Sequence, residues 1–245
     1  MRQFDVIVLE ENSPQFDNWT PPFEDPALGW SHDSDWNRPL QSIDAEWVVI
    51  AQPAVTIDRD FLNNLAEVIE GFPMADAFAP RLKFEGKFHG GLLLAGSKGF
   101  ASISENEKMR FVAAPNPMIA VFSSRIIQRT GLFDLDLPPE YRLIDYTLRM
   151  AHAGGKMFSV PYLVAKSSQL IDACSLNQVE ALWEIYYKSL PVGLLSAFTF
   201  RHLTMLPKFL GLDKGKKRRQ FKRDKATSLS KLTADYLKCI MSNEK

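Results

Sequence analysis

Cysteine is nearly absent: Cys174 and Cys239 are the only two in 245 residues. They have no metal-ligand spacing and cannot form the framework of a disulfide-stapled secreted domain, so a reducing cytoplasm is the expected compartment. No apolar run reaches the ~18 uncharged residues of a membrane-spanning helix. The opening residues, MRQFDVIVLEENS, lack the long apolar stretch and small-residue cleavage site of a secretory signal. Net charge is missing too, since 29 Lys+Arg balance 29 Asp+Glu. The chain contains no Gly-x-x-x-x-Gly-Lys, Gly-x-Ser-x-Gly or His-Glu-x-x-His run, which removes P-loop ATPase, hydrolase-elbow and zincin readings. No repeat of solenoid period occurs.

What remains is ordinary globular material, 46% hydrophobic, long enough to bury a substantial core without staples. Phe4 to Leu9 (FDVIVL) and Glu46 to Ala51 (EWVVIA) are short β-branched runs that predict buried strands. Residues 10–39 are rich in Pro, Asn and Asp and predict a loop without a helix. In TIDRDFLNNLAEVIEGF, Phe61, Leu62, Leu65, Val68 and Ile69 recur at helical spacing, with Asp58 or Asp60 as N-cap and Gly71 as the stop. Further strands are predicted near Ala75 to Pro80, Pro117 to Phe122 and Met157 to Ala165. Helices are predicted over Ser124 to Arg129 (closing at Gly131), Ile144 to Ala153 and Asn177 to Leu190. Strands alternating with helices predict an α/β domain with a mostly parallel sheet.

The order of these pieces resembles the family-two-like glycosyltransferases with the GT-A fold. The resemblance rests on VLEENS (Val8 to Ser13), ALGWSHDSDWN (Ala27 to Asn37) and EWVVIAQPAVTIDRDFL (Glu46 to Leu62), followed by GLFDLDLP (Gly131 to Pro138), IDYTLRMAHAGGK (Ile144 to Lys156) and SVPYLV (Ser159 to Val164). It covers about residues 4–168. It implies a GT-A-like, Rossmann-related sheet flanked by helices over 1–170, with a helical C-terminal appendage over 171–245. It also implies transfer of a sugar, hexose or deoxyhexose, from a nucleotide-sugar donor to a glycan or lipid-linked acceptor. In that family an Asp-x-Asp motif holds Mg²⁺ or Mn²⁺, which neutralises the departing diphosphate.

Three departures stand beside the resemblance. The chain starts at the family's second strand. Gln52-Pro53-Ala54 occupies the Asp-x-Asp position, where only Gln52 offers an oxygen, and a neutral one. Aligning Arg149 and Gly154 with the family's Arg and Gly puts Arg142 and Leu143 on its Glu-Asp pair. The candidate general base is then Asp145, or Glu140 if the loop shifts. A GT-A-like scaffold without catalysis, serving as a binding subunit in glycan assembly, is the rival expectation.

Other candidates follow from position. Asp33 and Asp35, two apart in the polar cluster His32-Asp33-Ser34-Asp35, are the candidate donor and metal contacts, with a turn-forming Asp-Ser loop as the alternative. Glu10 and Glu11 close the first strand, where a carboxylate receives nucleotide hydroxyls in parallel α/β folds. Asn37 and Gln52 complete the donor side. Asp134 and Arg149 are the candidate acceptor contacts, though an i,i+4 ion pair from Asp145 to Arg149 explains the latter equally well.

The charge balance is a cancellation. Residues 1–37 hold eight acids and one base, whereas KGKKRRQFKRDK (214–225) holds eight bases and one acid, a net +7. Just before it, Leu190 to Leu212 is apolar but interrupted by Pro191, Gly193 and Pro207, which predicts broken helix. Apolar helix followed by a polybasic run is the composition of an interfacial anchor on an anionic membrane surface. The expectation is a cytoplasmic protein, peripheral on the inner membrane face. A nucleic-acid partner is not expected, because no aromatic-interleaved basic motif occupies the domain. A last helix is predicted over Leu229 to Ile240.

Overall fold

Two apolar runs pair side by side to start the sheet: β1 (Arg2–Leu9) lies parallel to β3 (Ala45–Ala51), with Val6 opposite Val49 and Val8 opposite Ala51. This computed structural model describes residues 2–9, 21, 23, 28–103, 108–205 and 234–241. The other principal strands are β2 (Leu28–Asp33), β5 (Ala77–Phe84), β10 (Ile119–Ser123) and β11 (Met157–Ser167). With the two-residue β4 (Val55–Thr56) they run in the order β2-β1-β3-β10-β5-β11-β4. β2, β1, β3, β5 and β11 all point one way, while β10 runs against both neighbours. The chain therefore adopts the expected α/β class, a mostly parallel sheet flanked by helices.

Burial on both faces explains why β1 and β3 read as continuous apolar runs. Successive side chains alternate between faces. Phe4, Val6, Trp47, Val49 and Val121 pack with Phe61, Leu62, Leu65 and Val68 of α1 (Arg59–Gly71). Ile7, Val48, Ile50 and Phe122 face the other way, onto Ile126 of α2 (Ser124–Thr130) and Leu143, Tyr146 and Met150 of α3 (Pro139–His152). Between β5 and β10 the chain inserts β6 (Lys87–His89), the hairpin β7 (Leu92–Leu94) and β8 (Phe100–Ser102), and β9 (Arg110–Phe111). A third apolar cluster joins that hairpin and α3 to α4 (Val179–Ser189), α5 (Val192–Arg201) and α6 (Ala234–Ile240), the helical appendage.

Local signals behaved unevenly. Asp58, not Asp60, caps α1, accepting from the Phe61 N–H at 2.9 Å, and the helix runs through Gly71 to a cap at Phe72. Gly131 closes α2 with φ of 83°, a conformation that glycine adopts without strain. The region expected to be loop contains the edge strand β2. Its alternation is weak, and pairing to β1 from Phe4↔Leu28 to Leu9↔Asp33 decides its conformation. Helix α3 starts five residues before the expected Ile144. Pro139 takes its first position, where a missing N–H costs nothing and φ is already set. The predicted broken helix after Leu190 is α5 followed by a 3-10 turn over Leu203–Met205. The polybasic run 214–225 lies outside the described residues. Among the described residues no helix is long and apolar enough to cross a membrane.

Candidate functional site

Parallel strands leave their carboxyl ends along one edge of a sheet, and connections on either side open a crevice there. In this chain a cavity of about 440 Å³ sits at that edge, lined by Leu9, Trp36, Gln52, Pro53, Ala54, Pro139, Ser168 and Gln169. Leu9 ends β1, Gln52 to Ala54 follow β3, Pro139 opens α3, and Ser168 and Gln169 follow β11. The floor is held firmly. Gln52 donates its side-chain amide to the Pro117 carbonyl at 3.3 Å, and its backbone N–H donates to the Met118 carbonyl. The Ser168 N–H donates to the Ala54 carbonyl at 3.0 Å.

Trp36 is positioned from behind. Phe133 meets its ring edge-on at 5.1 Å between centroids, and the Arg142 guanidinium lies 5.3 Å from its ring centre. Arg142, at the position where the resembling family carries an acid, also donates to the Leu137 carbonyl at 2.8 Å. Asn37 locks the same corner. Its amide donates to the Phe133 carbonyl, and its carbonyl oxygen accepts from the Phe133 N–H at 2.7 Å. Asn37 therefore joins two loops 96 residues apart, and it is not among the residues lining the cavity.

The acids expected at the donor side are engaged elsewhere. Asp33 accepts from the Asp35 N–H and pairs with Arg38 at 3.4 Å, and Asp35 accepts from the Asn37 N–H. These are side-chain turns that shape the loop. Neither Asp lines the cavity. Glu10 and Glu11 lie outside the described residues. Asp58 caps α1 and meets Lys166 at 3.3 Å. Among the described residues, the metal implied by the resemblance therefore finds no fitting donors. Gln52 supplies a neutral oxygen and Pro53 and Ala54 supply none. Among the described residues no group of three or more His, Cys, Asp or Glu gathers.

Asp145 is fully buried in an ionic knot that faces the appendage. Its carboxylate meets Lys188 of α4 at 2.7 Å and Arg149 at 2.8 Å. Lys188, itself only 1% exposed, also donates to Asp134 at 2.8 Å and stands 3.8 Å from Glu184. Burial alone would raise the Asp145 pKa, but the Lys188 and Arg149 charges outweigh it and hold the carboxyl below its ordinary range. Burial likewise works against the Lys188 ammonium, yet Asp145, Asp134 and Glu184 hold its pKa above normal. Arg149 further donates to the Thr130 and Leu132 carbonyls. Asp134, Asp145 and Arg149 are thus brought together, around a lysine and away from the cavity. With its pKa lowered, the Asp145 carboxyl is not poised to take a proton near neutral pH.

Lys188 was the residue missed by sequence reasoning. A signal existed, because it falls seven residues after Ala181 and three after Ile185, on the buried face of α4. Glu140, by contrast, follows a residue that lines the cavity, and its carboxylate accepts from the Gln178 amide at 3.1 Å.

No protein-family model matches the chain, and no curated protein matches its sequence. Solved structures match it at low identity. One is GalNAc-T7 with UDP, GalNAc and Mn²⁺, 7% identical over 76% of this chain with a TM-score of 0.49. The chain spans 48% of that protein. Another is the mannosyltransferase PcManGT from Pyrobaculum calidifontis with GDP-Man and Mn²⁺, 14% identical, covering 94% of this chain and 74% of the other, TM-score 0.45. A third is S. aureus TarS 1-349 with UDP-GlcNAc, 13% identical, covering 97% and 81%, TM-score 0.48. The fold class of this chain rests on its own strand order and directions.

Proposed function

We propose that this chain is a GT-A-type glycosyltransferase that moves a sugar from a nucleotide-sugar donor to a surface polysaccharide or lipid-linked glycan at the cytoplasmic membrane face. The observation that carries this reading is convergence. Leu9, Trp36, Gln52 to Ala54, Pro139 and Ser168 come from segments spread across the resemblance or bordering it, and they line one cavity at the carboxyl edge of the sheet. Glu140, in the first turn of α3 beside Pro139, is the carboxylate best placed to receive the acceptor proton, with Gln178 orienting it. The remaining catalysis is positioning of donor and acceptor.

Calorimetric titration with UDP-, GDP- and dTDP-sugars tests the donor. A dissociation constant in the micromolar to low-millimolar range is expected for at least one of them. Glu140→Gln should keep that binding and lower turnover by about 10²-fold or more, the usual worth of a general base. Unchanged turnover in Glu140→Gln removes the assignment of the base.

A second reading, a sugar-binding subunit without catalysis, is favoured by one observation: Asp145, the candidate base from the resemblance, is committed to Lys188 and Arg149. Donor or glycan binding with no turnover on any acceptor would select it.

Membrane contact belongs to the same proposal. On α5 and the turn after it, Val192, Phe200 and Leu203 are exposed, Phe200 by 76%, and the +7 run of 214–225 follows. Each basic residue near an anionic surface contributes ~1 kcal/mol. The full chain should co-sediment with phosphatidylglycerol vesicles but not with phosphatidylcholine vesicles, and release as salt rises. Phe200→Ser should weaken sedimentation severalfold. Equal sedimentation with both vesicle types would remove the anchor.

A further inference from the structure

We propose that the cavity at the carboxyl edge recognises an uncharged sugar unit and does so without a divalent cation. The inference rests on the sugar-transfer reading and specifies its chemistry. Every described side chain lining the cavity is neutral: Leu9, Trp36, Gln52, Pro53, Ala54, Pro139, Ser168 and Gln169. A bridging Mg²⁺ or Mn²⁺ takes oxygen ligands, chiefly carboxylates. Among the described residues the carboxylates expected near the site are already committed, Asp33 and Asp35 to turn N–H groups, Asp58 to the first turn of α1, and Glu140, next to Pro139, to the Gln178 amide. Recruiting Asp58 would leave the Phe61 N–H without its cap and Lys166 without its partner.

The same lining suits a sugar ring. Sugar hydroxyls both donate and accept, and so do carboxamide and hydroxyl side chains. Gln52 is the fixed point among them. Its NH₂ end is tied to the Pro117 carbonyl, which orients the amide and presents its carbonyl oxygen as an acceptor of set direction. Ser168, bonded to the Ala54 carbonyl, and Gln169 add further polar groups to the lining. Trp36, Pro53 and Pro139 give apolar surface for the C–H face of the ring. A site built of oriented neutral groups discriminates strongly against ligands that leave those groups unpaired. Its volume of about 440 Å³ falls within the ordinary range of small-molecule sites.

The test is calorimetry on the full chain with UDP-, GDP- and dTDP-hexoses and the matching free hexoses, each in EDTA and in Mn²⁺. The expected result is binding of at least one donor with dissociation constants within threefold in the two buffers. Gln52→Ala should weaken that binding tenfold or more in both, with cooperative unfolding retained. Binding that is tenfold or more tighter with Mn²⁺ overturns the inference and leaves the transferase reading standing. Binding of a free hexose in EDTA with no response to any nucleotide-sugar upholds the inference and overturns the transferase reading. Silence from every ligand overturns both. Full binding by Gln52→Ala overturns the inference.

Discussion

Lys188→Met should lower the free energy of unfolding by about 3–5 kcal/mol, the usual consequence of deleting one partner from a buried ion pair. The side chain is 1% exposed and Asp145 is 0% exposed. Removing the ammonium leaves Asp145 with Arg149 alone and Asp134 without its 2.8 Å contact. A Lys188→Met, Asp145→Leu double variant should recover part of the loss, because two apolar groups need no compensation. Guanidinium unfolding at neutral pH measures both. A loss below 1 kcal/mol for Lys188→Met would show that the knot is not what seats α4.

The pH dependence has a defined sign. Asp145 is held below its ordinary pKa, so its contribution is present above about pH 4, the unfolded value. That contribution disappears as pH falls through the lower folded value. Lys188 is held above its ordinary pKa, so its contribution is present below about pH 10.4 and is lost as pH rises through the folded value. The difference between the native chain and Lys188→Met should therefore be widest between those limits and narrow in acid, where Asp145 takes a proton. A difference that grows on acidification contradicts the ion pairing.

The second large effect is expected at Phe133. Its ring lies between Trp36 at 5.1 Å and Tyr146 at 4.4 Å, and its backbone is pinned by Asn37. Phe133→Ala should cost about 3–5 kcal/mol, the transfer loss of a buried aromatic side chain plus the cavity left behind. The effect should reach the site as well. Trp36 lines the cavity and loses its edge-on neighbour, so ligand binding should weaken about tenfold even where the variant is fully folded. Guanidinium unfolding and calorimetry on the same preparation separate the two effects. A cost under 1 kcal/mol would mean that the corner repacks.

These two residues also show where sequence reading worked and where it stopped. Strands β1 and β3 were legible because burial on both faces makes them continuous apolar runs, and α1 because its apolar stripe and Asp58 cap are local. Strand β2 was not, since its conformation comes from pairing with β1, a partner that periodicity does not contain. For the cavity, the stretch Gln52 to Ala54 and the loop of Trp36 fall within segments read from the sequence, whereas Pro139, Ser168 and Gln169 carry no local signal that sets them there. For Asp33 and Asp35 the turn-forming alternative was legible because their bonds are local, whereas the role of Asn37 was not, because it bonds the backbone of Phe133 in a loop that only the fold brings near. Asp145 lies on the helix where the alignment put it. Its surroundings depend on Lys188, brought in by a helix 43 positions further along the chain, and helical spacing carries no information about that distance.

The return of α6 to the inserted hairpin bears on how the molecule comes off the ribosome. The Tyr236 hydroxyl donates to the Val112 carbonyl, 124 residues earlier, and Met241 bridges to Leu94 of β7. At about 5–20 residues per second of synthesis, the hairpin, complete at Ser102, waits roughly 7–28 s for the helix that covers it. Until then Leu92 and Leu94, both fully buried in the finished chain, lack part of their cover. During that interval the nascent chain presents a short apolar sheet to its surroundings. Slowing translation between β9 and α6 should therefore increase its capture by chaperones or its aggregation, although the finished protein is unchanged.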